Sequence, residues 1–211
     1  MIRTTIGFTN PVTTNTVTPT SYTSTVKHLV KAGEAISKGQ AVYVTGSTGN
    51  SGTNMIVGKA SNTQESTSSK TMGLLESTLA LNGIGYVITE GLLAGLDTST
   101  AGAAGDPVWL GTNGNLIYGL ANKPVAPAHL VFIGIVTRKQ QNNGEIFVKP
   151  QNGFEVEELH NVVLTSKASG DTIVWNGGTW VNRNINGATG TFTSSDGKTI
   201  TVSNGIITSI V

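Results

Sequence analysis

Short apolar runs, each fenced by glycine, asparagine or another turn former, set the rhythm of this chain. From residue 26 they come as Val26–Val30, Ala41–Thr45, Met55–Ala60, Thr71–Leu75, Gly85–Gly91, Pro107–Leu110, Leu116–Tyr118, Leu130–Thr137 and Gly144–Pro150. Each is too short for an ordinary helix and rich in β-branched and aliphatic residues, so each predicts a strand. Phe154–His160 is the one helical candidate, and it spans barely two turns. The pattern predicts an all-β chain whose central domain is a β-barrel or sandwich. Its core is read from alternating or continuous strand positions: Val42, Val44, Ile56, Leu74, Val87, Val108, Leu110, Val131, Ile133, Ile135, Ile146 and Val148.

The two ends follow different patterns. Residues 1–24 are dominated by threonine, are interrupted by Pro11 and Pro19, and show no amphipathic period, which predicts an extended arm. Its few apolar residues, Ile2, Ile6, Phe8, Val12 and Val17, are candidates for plugging shallow pockets on a neighbour. Beyond the central domain (25–160) lies a hairpin linker (161–188), in which Asp171–Trp175 turns through Asn176-Gly177-Gly178 into Trp180–Asn182. The last stretch (189–211) turns at Asp196-Gly197 and again at Asn204-Gly205, which predicts a three-stranded meander. A sheet of that size cannot bury its own apolar face, and an identical chain is the simplest cover. Trp175, Trp180, Phe192, Ile200, Ile206 and Ile210 are therefore the candidate oligomerisation residues. A second reading of Trp175 and Trp180 is open: paired aromatics at a hairpin also stack on sugar rings.

Composition narrows the function classes. Thr (31), Gly (27), Asn (18) and Ser (17) make up a large share of the 211 residues, a polar but uncharged mixture suited to strands and turns. Thirteen basic residues balance twelve acidic ones, and no Lys/Arg run exists, which argues against a phosphate-tracking groove and hence against nucleic acid. With no cysteine, disulfides and thiolate chemistry are excluded. The run Leu130–Val136 is far short of a membrane helix, and the segment MIRTTIGFTNPVTT has no apolar signal-peptide core, so no membrane insertion is expected.

Catalytic patterns are equally sparse. Gly197-Lys198-Thr199 resembles the end of a phosphate-binding loop, but that signature needs glycine where Phe192 stands, and the context predicts a hairpin turn. His28, His129 and His160 lack metal-ligand spacing. Asp97 and Asp106 could face one another as glycosidase carboxylates do; Asp106-Pro107 is more simply a turn before a strand. Glu155, Glu157 and Glu158 read as a solvated face. The expectation is a chain that is not an enzyme and has no cofactor or metal.

The stretches VKAGEAISKGQAVYVTG, TEGLLAGLDTSTAGAAGDPVWLG and HLVFIGIVTRKQQNNGEIFVKPQNGFEVEELH resemble a domain of tailed-bacteriophage fibre and virion surface proteins. DTIVWNGGTWVNR resembles the short hairpin linker between fibre modules, and GTFTSSDGKTITVSNGIITSIV a terminal module of the same kind. The resemblance implies a homo-oligomeric, usually trimeric, non-catalytic protein on the virion surface. Its expected partners are copies of itself and capsid or tail proteins met through the arm. The chain has no long shaft repeat, which favours a head fibre or capsid decoration over a receptor-binding tail fibre recognising host glycans.

Overall fold

The computed structural model describes residues 25–48, 54–184 and 187–211; the arm over residues 1–24, with Ile2, Ile6, Phe8, Val12 and Val17, lies outside the described residues. Nine strands form the body: β1 (Val26–Ala32), β2 (Ala41–Ser47), β3 (Met55–Lys59), β4 (Thr71–Leu75), β5 (Ile84–Leu96), β6 (Pro107–Leu110), β7 (Leu116–Tyr118), β8 (Val131–Arg138) and β9 (Gly144–Asn152). They run in the order β1-β3-β2-β4-β5-β9-β8-β6-β7, and β1 pairs with β5 as well. That extra pairing closes β1 to β5 into a five-stranded barrel. Of the two architectures the sequence left open, the first module is thus a closed barrel.

β5 serves two sheets. Its first half pairs with β1 and β4, and from Gly91 onward it pairs with β9. The hand-over falls on Gly91, whose φ of 122° is a conformation that side-chain-bearing residues rarely adopt. The apolar pattern predicts a strand ending at Gly91, whereas β5 continues through Leu96.

The body is one plan used twice. Second-half β5, β6, β7, β8 and β9 repeat the connectivity of β1, β2, β3, β4 and first-half β5. Ala41↔Leu74, Val42↔Gly73 and Tyr43↔Thr71 recur as Pro107↔Ile135, Val108↔Gly134 and Trp109↔Phe132, with the same one-residue slip after the second pair. Leu74↔Ile88 and Leu75↔Val87 recur as Ile135↔Phe147 and Val136↔Ile146. Val42↔Lys59, Tyr43↔Gly58 and Val44↔Val57 recur as Val108↔Tyr118, Trp109↔Ile117 and Leu110↔Leu116. Gly73 and Gly134 occupy matching places, where a Cβ would collide with the carbonyl oxygen of Ile88 or Phe147. One pairing differs. The parallel β1–β3 ladder has no counterpart between β5 and β7 among the described residues, so the second module is open along one seam.

Two cores result. Val30, Ala32, Ile36, Val42, Val57, Leu75 and Val87 fill the closed barrel. Ala41, Leu74 and Ile88, their immediate neighbours in sequence, point outward and join Leu93, Leu96, Val108, Leu110, Val131, Ile133, Val136, Ile146 and Val148 in the second core. The doublets Ala41-Val42, Leu74-Leu75 and Val87-Ile88 are apolar at both positions because each strand is covered on both faces.

Three proposed core residues need correction. Ile135 is 40% exposed. It is the counterpart of Leu74, but the second module covers Leu74 whereas nothing described covers the outer wall of the second module. Val44 and Ile56 are only half-buried: Val44 lies just before the bulge in β2, where that strand turns exposed, and Ile56 near the start of β3. The helical candidate is a single 3-10 turn, Val156–Glu158, closed by a capping box between Glu155 and Glu158. A four-residue helix, α1 (Glu65–Ser68), lies between two predicted strands, in a stretch to which the pattern assigns no element.

After β9 come two small sheets. The first has the order β10-β12-β11, from β10 (Val162–Val163), β11 (Asp171–Trp175) and β12 (Trp180–Asn184); β10, parallel to β12, was not expected. The second is the expected meander of β13 (Gly190–Thr193), β14 (Thr199–Ser203) and β15 (Ile206–Ile210).

The hand-over at Gly91 yields a test. Gly91→Val should destabilise the fold by about 1–3 kcal/mol through backbone strain. Gly46→Ala, where an added Cβ meets nothing within 4 Å, should change it by less than about 0.5 kcal/mol. Denaturant melts of the two variants check the contrast.

Candidate functional site

The groups that looked like chemistry are committed to structure. Asp106 accepts from the backbone N–H of Gly102 (2.7 Å) and of Ala103 (3.1 Å), shaping the loop before β6. Asp97 accepts from the hydroxyl and N–H of Ser99, and those bonds hold its acid below the usual carboxylate range. Gly197-Lys198-Thr199 is a hairpin turn, with Gly197 at φ 81° and Lys198 paired to Asp196. Among the described residues, no group of three His, Cys, Asp or Glu side chains could hold a metal ion.

His129 is a feature that spacing concealed. Its Nδ1 lies 3.0 Å from both Glu65 Oε2 and Glu155 Oε1, and its backbone N–H donates to the Asn62 carbonyl. One imidazole thereby ties α1 to the segment that leaves β9. Those partners are remote in sequence and only the fold brings them together. His28 and His160 are exposed and take no part.

The candidate oligomerisation residues fall into two groups. Trp175 and Trp180 form the last cross-strand pair of the β11–β12 hairpin, rings edge to face with centroids 5.7 Å apart. The turn between them is held by Asn176 Oδ1, which accepts from the N–H of Gly178 and of Thr179. Both rings stay 41–52% exposed in the single chain. In the meander, Phe192↔Ile200 and Ile200↔Ile210 set three apolar side chains in a row across β13, β14 and β15. The bulge after Thr201 places Val202 opposite Ile207, so Ile207 joins this row. Ile206 stands opposite Ser203 on the threonine-rich side, away from the other three. Phe192, Ile207 and Ile210 are each more than half exposed.

Other exposed apolar residues went unnoticed in the sequence. Leu29 and Tyr86 are a cross-strand pair on the outer barrel wall, beside Ile84. Phe154 and Val156 flank Val125 in an open apolar groove.

No family model matches the chain, and no curated protein matches it. Among solved structures it is similar to the N base of the head fibre gp8.5 of bacteriophage phi29. That match has 10% sequence identity and a TM-score of 0.39, over 63% of this chain and 99% of the other.

A pH dependence follows from the hairpin. Asn182 Nδ2 donates to Asp171 Oδ2 (2.7 Å), as does the N–H of Ala168 (3.0 Å), and these bonds hold the Asp171 acid below its ordinary range. A depressed carboxylate stabilises the fold fully above its unfolded value, about 3.9, and that contribution is lost as pH falls through the folded value. The near-ultraviolet dichroism of the Trp175–Trp180 pair should therefore hold steady down to about pH 4 and fade below it. Asp171→Asn should weaken that acid step.

Proposed function

We propose that this chain is a non-enzymatic structural protein of a tailed-bacteriophage virion, a short homotrimeric fibre or decoration projecting from the capsid or tail. The observation that carries the proposal is the apolar row of the meander, with Phe192, Ile207 and Ile210 more than half exposed beside half-buried Ile200 and Val202, on a sheet too small to stand alone. Three such faces turned to one axis would bury one another, and the Trp175–Trp180 pair offers a second apolar contact along the same C-terminal part of the chain. The resemblance of the central and terminal stretches to virion surface proteins supports the setting. In this reading the body is a rigid base and residues 1–24 anchor it, through Ile2, Ile6, Phe8, Val12 and Val17, to a different virion protein.

A second reading has one observation in its favour. Trp175 and Trp180 are half exposed at a hairpin tip, where they could take a host-surface glycan as a receptor-binding tail fibre module does. Their edge-to-face packing offers no flat two-ring platform, which favours the first reading.

Light scattering of the full chain at micromolar concentration should give the mass of a trimer. Trp175→Ala or Phe192→Ala should weaken the assembly by roughly 3 kcal/mol per chain if the ring is buried there. A monomer with the C-terminal hairpins still ordered would contradict the proposal. Deletion of residues 1–24 should leave the oligomer intact and abolish incorporation into particles; normal occupancy of the truncated protein would place the anchor elsewhere.

A further inference from the structure

The seam where the second module stays open is where the two modules differ most in chemistry. In the closed barrel Val30, Lys31 and Ala32 pair with Met55, Ile56 and Val57. Carried across by the shared registers, the matching residues are Leu96, Asp97 and Thr98 against Gly114, Asn115 and Leu116. These do not pair. A cleft of about 210 Å³ opens there, lined by Leu96, Asp97, Asn115, Leu116 and Tyr118 together with Lys38 from the first module.

The lining combines three kinds of group. Leu96 and Leu116 supply apolar surface and Tyr118 an aromatic ring. The Tyr118 hydroxyl donates to the Asp97 carbonyl at 3.3 Å, which fixes the ring. Burial, and then the Asp97 carboxylate, push the phenol up to about 12, so it remains a neutral hydrogen-bonding group. Ser99 occupies one carboxylate oxygen of Asp97. The other oxygen, the Asn115 amide and the Lys38 ammonium have no hydrogen-bond or ion-pair partner among the described residues.

One acid and one base leave the cleft without net charge, which disfavours a charged ligand and suits a neutral one rich in hydroxyls. An aromatic ring beside a carboxylate, an amide and an ammonium matches the two surfaces of a sugar, its apolar C–H face and its hydroxyl rim. The volume is below that of ordinary ligand pockets of about 300–1,000 Å³, so one ring fits and an oligosaccharide does not. We propose that this seam binds a single neutral pyranose ring, with Tyr118 against its apolar face and Asp97, Asn115 and Lys38 taking its hydroxyls. The inference goes beyond the virion reading and does not rest on it: light scattering tests the oligomer, and a titration tests the seam.

The full chain is titrated with methyl glucoside, methyl galactoside and N-acetylglucosamine at millimolar concentration, followed by saturation-transfer difference NMR and backbone amide shifts. The expected result is transfer to at least one sugar, with shifts at residues 96–98 and 114–118. Asn115→Ala and Asp97→Asn, both at exposed positions, should each weaken binding about tenfold, while Lys198→Ala in the meander leaves it unchanged. Absence of transfer to all three sugars overturns the proposal. So does binding that survives both seam substitutions, or shifts confined to the Trp175–Trp180 hairpin.

Discussion

The structure depends on burying both faces of β2, β4 and β5 where the two modules meet. Val42, Leu75 and Val87 face the interior of the closed barrel, and their neighbours Ala41, Leu74 and Ile88 face the second core. At about 25 cal/mol per Å² of apolar surface removed from water, a wall of large aliphatic side chains on each face stabilises far more than either module could supply alone. β5 makes the arrangement continuous, since one strand pairs in the barrel up to Glu90 and with β9 from Gly91 onward. Neither module can shed its share of β5 without exposing the other.

This constraint also explains what lies at the surface. The outer wall of the first module is covered at Ala41, Leu74 and Ile88, where the second packs on it, and stays exposed at Leu29, Ile84 and Tyr86; in the second module the counterpart of Leu74, Ile135, is exposed. The first module closes through β1–β3, and the second leaves its seam open, with a mixed polar and aromatic lining in place of a ladder. Beyond β9 the described residues form no comparable core, and the two small sheets leave several apolar side chains exposed. The proposed division of labour follows: a rigid duplicated base, and C-terminal sheets that need other copies to be covered.

Much of the fold was legible as pattern. Thr71–Leu75, Pro107–Leu110 and Leu116–Tyr118 match the predicted strands residue for residue, because short apolar runs bounded by turn residues leave little else for the chain to do. The duplication was not legible, since its clearest trace in sequence is Met72-Gly73-Leu74-Leu75 against Ile133-Gly134-Ile135-Val136. What the modules share is register and the two glycines that admit a neighbouring carbonyl, neither of which periodicity reveals. The bulges were hidden for a related reason: a one-residue slip moves Ile207 into the apolar row and Ile206 out of it without altering composition. The His129 contacts and the seam cleft join residues far apart in sequence, so no spacing rule could find them.

Native-state hydrogen exchange across the body tests the shared core most directly. If the two modules stand or fall together, slow amides of β4 and first-half β5 should open with the same free energy as those of β8 and β9, while the two C-terminal sheets open more readily in the isolated chain. Two well-separated opening free energies, one for each module, would show that they are independent units and would contradict the account.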